Sequence, residues 1–142
     1  MSKGLVVEKS ILINATPAKV WDAITDPAKV KQYLFGTNMA ADWRIGGRIT
    51  YSGSWEGKEY VDGGEILEIV PEKILKSTYW SSMSGTEDKP ENYLTVSYVL
   101  EPITSGTKLT VIQDNNKTAE GAEHSGSNWQ MVLEAMKKIC EA

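Results

Sequence analysis

The chain has 142 residues, of which 41% are hydrophobic and 24% charged, and a formal net charge of −4. That length and balance fit one globular domain, 1–142, with enough interior to fold without staples. With no block of Lys or Arg, the chain lacks the clustered positive charge that nucleic-acid backbones and anionic membrane surfaces demand.

A single cysteine, Cys140, forbids an intramolecular disulfide. No apolar run approaches the ~20 residues that span a bilayer, so no membrane insertion is expected. The segment Met1–Gly4 is too short for a signal peptide before a strand pattern begins, which implies a cytoplasmic protein. Five Trp and six Tyr stand against one Phe. Trp and Tyr carry a polar handle on a large apolar body, which suits partly wet cavities as well as cores.

Leu5 to Asn14 alternates around Val7, Lys9, Ile11 and Ile13 and reads as a strand with one buried face. Thr16-Pro17 supplies a helix cap and a first-position proline for a short helix with Val20, Trp21 and Ile24 on one face. Asp26-Pro27 repeats the device for a second short helix that turns Val30, Tyr33 and Leu34 inward. Pro27 has no amide to donate, so the two cannot be one helix.

From Met39 to Asp114 the period is two, with strands at about 47–55, 58–69, 73–81, 91–101 and 106–114. Gly46-Gly47, Ser54–Gly57, Val70–Glu72, Gly85–Pro90 and Ser105-Gly106 read as connections. Strand follows strand without helices, so the sheet is antiparallel and meandering. Val96, Tyr98 and Leu100 share one face, as do Leu109 with Val111 and Leu75 with Ser77 and Tyr79. Ile66-Leu67 and Ile69-Val70 do not alternate, which predicts a bulge or cover on both faces. Trp129, Val132, Leu133, Met136 and Cys140 then recur at three and four along a closing helix. Thr118 starts a long version of it and Ser127 a shorter one. The long helix is favoured, its glycines letting another surface approach closely.

Strand, two short helices, a long meander and one long helix make an α+β pattern that resembles the helix-grip fold of the START-like (SRPBCC) superfamily, a curved antiparallel sheet wrapped around a C-terminal helix. Within it, Ile13 to Pro27 (Ile-Asn-Ala-Thr-Pro-Ala-Lys-Val-Trp-Asp-Ala-Ile-Thr-Asp-Pro) resembles the opening of the family named after the activator of the heat-shock-protein-90 ATPase. Asp42-Trp43-Arg44-Ile45-Gly46-Gly47, Gly64-Glu65-Ile66-Leu67-Glu68-Ile69, Pro71 and Leu75 resemble its middle. Asn128-Trp129 with Leu133 resembles its closing Gly-Trp-x-x-x-Leu, with asparagine in place of glycine. The resemblance implies a cavity between inner sheet face, short helices and C-terminal helix, of the kind that accepts apolar or amphipathic molecules in related proteins. Some family members bind a chaperone instead.

The residues offer little catalytic equipment, and no cofactor or metal is expected. His124 is the only histidine, and Cys140 lies sixteen residues further along the same helix, roughly 24 Å away. One His and one Cys make a zinc site implausible. Asp114-Asn115-Asn116 reads as a turn leaving a strand rather than a calcium loop, and Gly46-Gly47 and Gly63-Gly64 lack the spacing of a phosphate cradle. Arg44 and Arg48 read as a solvated hairpin. Glu65 and Glu68 fall on opposite faces of a regular strand.

The inward aromatics point to a lined pocket: Tyr51, Tyr79, Tyr98 and Trp129, with Trp43 near its rim. Val111 and Val132 supply apolar wall, and Gln113 and Asn128 are the neutral polar groups that orient a ligand. The leading expectation is a non-enzymatic binder of a small apolar molecule. A regulator that binds a protein partner and a cyclase- or dehydratase-type enzyme using a cavity Tyr or carboxylate remain alternatives. Homodimerisation is compatible with each.

Overall fold

The computed structural model of the chain describes residues 5–34, 36–55, 57–81, 87–116 and 118–141. The tail 1–4, Glu56 in the second connection and Gly85-Thr86 at the start of another lie outside that set. Strand β1 (Leu5–Ile13) leads into helices α1 (Pro17–Thr25) and α2 (Pro27–Tyr33), each opened by its proline. Thr16 Oγ1 accepts a hydrogen bond from the Lys19 amide at 3.3 Å, and Asp26 Oδ1 accepts from the Ala28 amide at 3.0 Å. Each cap satisfies an amide that the first helical turn leaves unpaired.

Strands β2 (Asn38–Ala41), β3 (Arg48–Trp55), β4 (Lys58–Val70), β5 (Ile74–Tyr79), β6 (Leu94–Ile103) and β7 (Gly106–Asn116) follow in a meander. With β1 returning beside β7, they form a seven-stranded antiparallel sheet in the order β1-β7-β6-β5-β4-β3-β2. Three points differ from the sequence pattern. The four-residue edge strand β2 escapes that pattern, because Asn-Met-Ala-Ala buries only Met39 and shows too little alternation. A single turn of 3-10 helix (Pro90–Asn92) precedes β6, which begins at Leu94. The Asp114-Asn115-Asn116 segment is the end of β7 rather than a turn. Asn115 takes a left-handed φ of 63° there, while its side chain donates to the Tyr93 carbonyl at 2.8 Å.

The long closing helix, α3 (Ala119–Glu141), is the one that Thr118 caps: its Oγ1 accepts from the Gly121 amide at 2.9 Å. Leu133, Met136 and Cys140 bury their side chains against Val20, Ile24, Val30, Ile13 and Leu109. Each aliphatic side chain so enclosed contributes roughly 1.5–3 kcal/mol. Nearer its start, α3 lies on β1 at Gly126, where an added Cβ would sit 3.1 Å from Lys9 Cε and 3.6 Å from Val7 Cγ1. The last turn is tethered to the end of β1. Glu141 accepts from the Asn14 amide at 2.8 Å and pairs with Lys137, whose Nζ also donates to the Leu12 carbonyl at 3.0 Å. The Asn14 amide first, and Lys137 second, hold the Glu141 carboxyl below its usual range.

Strand β4 turns the sheet. Its first half pairs with β3, from Lys58 opposite Trp55 to Glu65 opposite Arg48. Its second half pairs with β5, from Ile66 opposite Ser77 to Val70 opposite Ile74. Gly63 and Gly64 stand at the junction, where an added Cβ would come within 2.3 Å of the Ile49 oxygen or 2.0 Å of the Thr78 oxygen. Only glycine lets two backbones approach so closely. The register then slips between Ile66 and Glu68, which is the bulge that the broken alternation predicts. It leaves both Glu65 and Glu68 on the solvent side.

Candidate functional site

Between the curved sheet and α3 the inward side chains leave a cavity of about 320 Å³. Two cross-strand rows make most of its sheet wall. In one, Ser77 pairs with Val96 and Val96 with Gln113; in the other, Tyr51 pairs with Asp62. Tyr79 and Leu94 form a further pair, and Tyr98 lies between them and the core. The helix contributes Ser125, Asn128, Trp129 and Val132, positions that recur at three and four and therefore share one face. Leu34 and Thr37, at the end of α2 and just beyond, complete the lining.

Seven of the nine residues singled out from sequence line this space: Tyr51, Tyr79, Tyr98, Gln113, Asn128, Trp129 and Val132. Val111 faces inward but is 0% exposed and packs in the core beside Tyr98, its cross-strand partner. Trp43 sits in the turn after β2, 37% exposed, and is not part of the lining. Sequence reasoning misses Asp62, although counting back in twos from Ile66 through Gly64 puts it on the inner face. It also misses Ser125, one helical turn before Asn128 and Trp129.

The polar groups of the wall are held in fixed arrangements. Trp129 Nε1–H donates to Gln113 Oε1 at 2.9 Å, and Gln113 Nε2 donates to Asn116 Oδ1 at 2.7 Å. Asn116 Nδ2 then donates to the carbonyls of Leu5, at 2.8 Å, and Gln113, at 3.0 Å. On the opposite side the Tyr79 hydroxyl donates to Asp62 Oδ2 at 3.0 Å, and Thr37 Oγ1 meets the Tyr60 hydroxyl at 2.7 Å. The rings are packed edge to face, Tyr51 on Tyr79 at 6.3 Å and Tyr98 on Trp129 at 5.8 Å between centroids.

Gln113→Leu removes the middle link of the first chain and strands the Trp129 N–H and Asn116 Oδ1. The expected cost is about 2–3 kcal/mol, read as a lowered urea midpoint, because each buried unpaired group carries its own desolvation penalty. Trp129→Phe loses the N–H together with part of the indole, but at a wall position that opens onto the cavity and with one rather than two groups left unpaired, so it is expected to cost less.

His124, Cys140 and the arginines stand outside the cavity. His124 is exposed on α3, and Cys140 is a core residue whose thiol is pushed up by burial. Arg44 pairs with Asp42 at 2.6 Å on the surface, and Arg48 is exposed. Among the described residues, no group of three or more His, Cys, Asp or Glu converges as a metal site requires, and no helix is long and apolar enough to cross a membrane.

A model of the family described as Activator of Hsp90 ATPase homolog 1-like protein matches residues 14–141. The chain belongs to this family. Among solved structures, ChR145 from Cytophaga hutchinsonii is 38% identical, with a TM-score of 0.85 over 99% of this chain and 97% of its own. MLL2253 from Mesorhizobium loti shares the fold at 22% identity and a TM-score of 0.79, over 95% and 96% of the two chains. DynU16, a protein in the dynemicin biosynthetic locus, shares it at 18% identity and 0.79, over 96% of this chain and 47% of that one. No curated protein matches the chain.

The motifs that this Hsp90-activator-like chain shares with its family explain its fold more than its cavity. Thr16, Asp26 and the two prolines start helices; Gly47 lets the Asp42 carbonyl pass; Gly64 turns the sheet; Leu133 fills the core. Of the motif positions, only Asn128 and Trp129 reach the lining. The remainder of the wall lies between the motifs.

Burial sets the protonation of that wall. It holds the hydroxyls of Tyr51, Tyr79 and Tyr98, and that of Tyr33 in the adjoining core, above the ordinary phenol range; at Tyr79 the Asp62 carboxylate adds to the effect. A raised folded-state value means that these groups favour the folded state fully below the unfolded pKa of about 10, and that this contribution is lost as pH climbs above it. Alkaline titration at the phenolate absorbance band is expected to release these four only with cooperative unfolding. Gradual ionisation of the folded protein would mean that the wall is open to water.

Proposed function

We propose that the chain binds a small apolar or amphipathic molecule in this cavity and performs no chemistry on it. The observation that carries the reading is an apolar space of about 320 Å³ into which two tyrosine hydroxyls face without a partner. The hydroxyls of Tyr51 and Tyr98 have no hydrogen-bond partner among the described residues, and with no buried side-chain polar atom left unpaired there, they open onto the cavity that both residues line. Hydroxyls so enclosed need either ordered water or a ligand's polar atoms. The size is that of a small-molecule site, largely apolar with a few convergent polar groups.

The Asp62–Tyr79 pair supports a second reading, an acid–base enzyme of the cyclase or dehydratase kind. There the carboxylate takes a proton, and Tyr79, held protonated, acts only as a hydrogen-bond donor. Native mass spectrometry of freshly purified protein, compared with the same sample denatured, tests the binding reading. A mass excess that disappears on denaturation is expected. Should its extracted molecule be altered on incubation with fresh protein, the enzyme reading replaces the carrier. A clean mass, with no apolar probe taken up on titration, moves the assignment to a protein-binding role.

A further inference from the structure

Resting on that cavity reading, we propose that the cavity selects ligands whose polar end is a protonated amine and rejects carboxylates of the same shape. Charge comes first. Among the described residues of the lining, Asp62 alone carries a formal charge, and none is Lys, Arg or His. It is 8% exposed, in the buried middle of β4. A carboxylate in an apolar wall lowers the energy of any cation brought beside it, because little water screens the pair.

The surroundings of Asp62 then favour a cation over a neutral group. Its cross-strand partner is Tyr51, and its carboxylate accepts from Tyr79. These two rings stand edge to face at 6.3 Å with 63° between their planes. Asp62 therefore has two aromatic side chains beside it in the lining, and aromatic faces attract ammonium groups. An ammonium also needs several acceptors; a carboxylate has about four lone-pair sites, more than the Tyr79 hydroxyl takes, and the hydroxyls of Tyr51 and Tyr98 line the same cavity. A ligand carboxylate meets the opposite conditions. It would lose its hydration next to a like charge, with only neutral hydroxyls to replace the water.

Isothermal titration calorimetry with octylamine, octanol and octanoate at neutral pH separates the possibilities, since the three share one tail. Octylamine is expected to bind on the order of tenfold to a hundredfold tighter than octanoate, the worth of one charge-assisted hydrogen bond in a partly buried site, with octanol between them. In Asp62→Asn the gap between amine and carboxylate shrinks to a few fold. Octanoate binding as tightly as octylamine, or a gap that Asp62→Asn leaves intact, overturns the inference and leaves the cavity reading standing. If none of the three binds, it is the cavity reading that fails, and this inference with it. The order measured on the wild-type chain decides the matter even if the Asn variant does not fold.

Discussion

Gly64→Ala is expected to lower the thermal midpoint by about 10 °C, a loss of about 3 kcal/mol, although it adds a single methyl group. The added Cβ would lie 2.0 Å from the Thr78 carbonyl oxygen, 2.5 Å from its carbon and 2.6 Å from Thr78 Oγ1. Two of these are backbone atoms and cannot rotate away. Relief requires β4 and β5 to separate, and that pulls on the bonds around the site. Glu65 N donates to Thr78 Oγ1 at 2.9 Å, and the Gly63–Trp80 pair exchanges hydrogen bonds at 3.0 and 2.9 Å. The same movement shifts Asp62, two residues before Gly64, against Tyr79, one residue after Thr78. The variant should therefore lose both stability and probe binding. Differential scanning calorimetry provides the check. A midpoint within two or three degrees of wild type would show that the corner relaxes easily and that glycine is not required there.

This corner also marks what the sequence can and cannot disclose. Periods of two and of three-to-four, read against proline and cap residues, are local signals. They place β1, β3 to β7 and α1 to α3 close to their observed limits. They also identify the inward faces, so that Tyr79, Tyr98, Gln113 and Trp129 can each be assigned to one side of an element from the amino-acid pattern alone. They do not show where along those faces the space opens. Val111 and Tyr98 are cross-strand partners with the same inward orientation, yet one is packed in the core while the other borders the cavity. The difference depends on what packs over each position from other elements, which no local pattern records. Asp62 escapes notice because the adjoining glycines interrupt the apolar alternation that marks a buried face. Trp43 misleads the other way: its size suggests a wall, but it belongs to a turn where nothing packs over it fully.

Filling the cavity from its helix side should separate binding from folding. Ser125→Trp is expected to weaken uptake of the uncharged dye N-phenyl-naphthylamine on the order of a hundredfold, with the thermal midpoint changed by only a few degrees. Ser125 is half-buried on α3, one turn before Trp129, and its side chain meets the cavity rather than the packed interior of Leu133 and Met136. An indole placed there occupies space that is now empty, so no existing contact has to be broken. Tryptophan is a somewhat weaker helix former than alanine but close to serine, so the helix itself should be little affected. Asn128→Trp, from a more exposed position on the same face, repeats the test should the first variant be unstable. Fluorescence titration against wild type gives the answer. Undiminished dye binding in a folded Ser125→Trp protein would place the dye outside this cavity. Loss of binding with retained fold would tie it to the space lined by Tyr51, Tyr98 and Trp129.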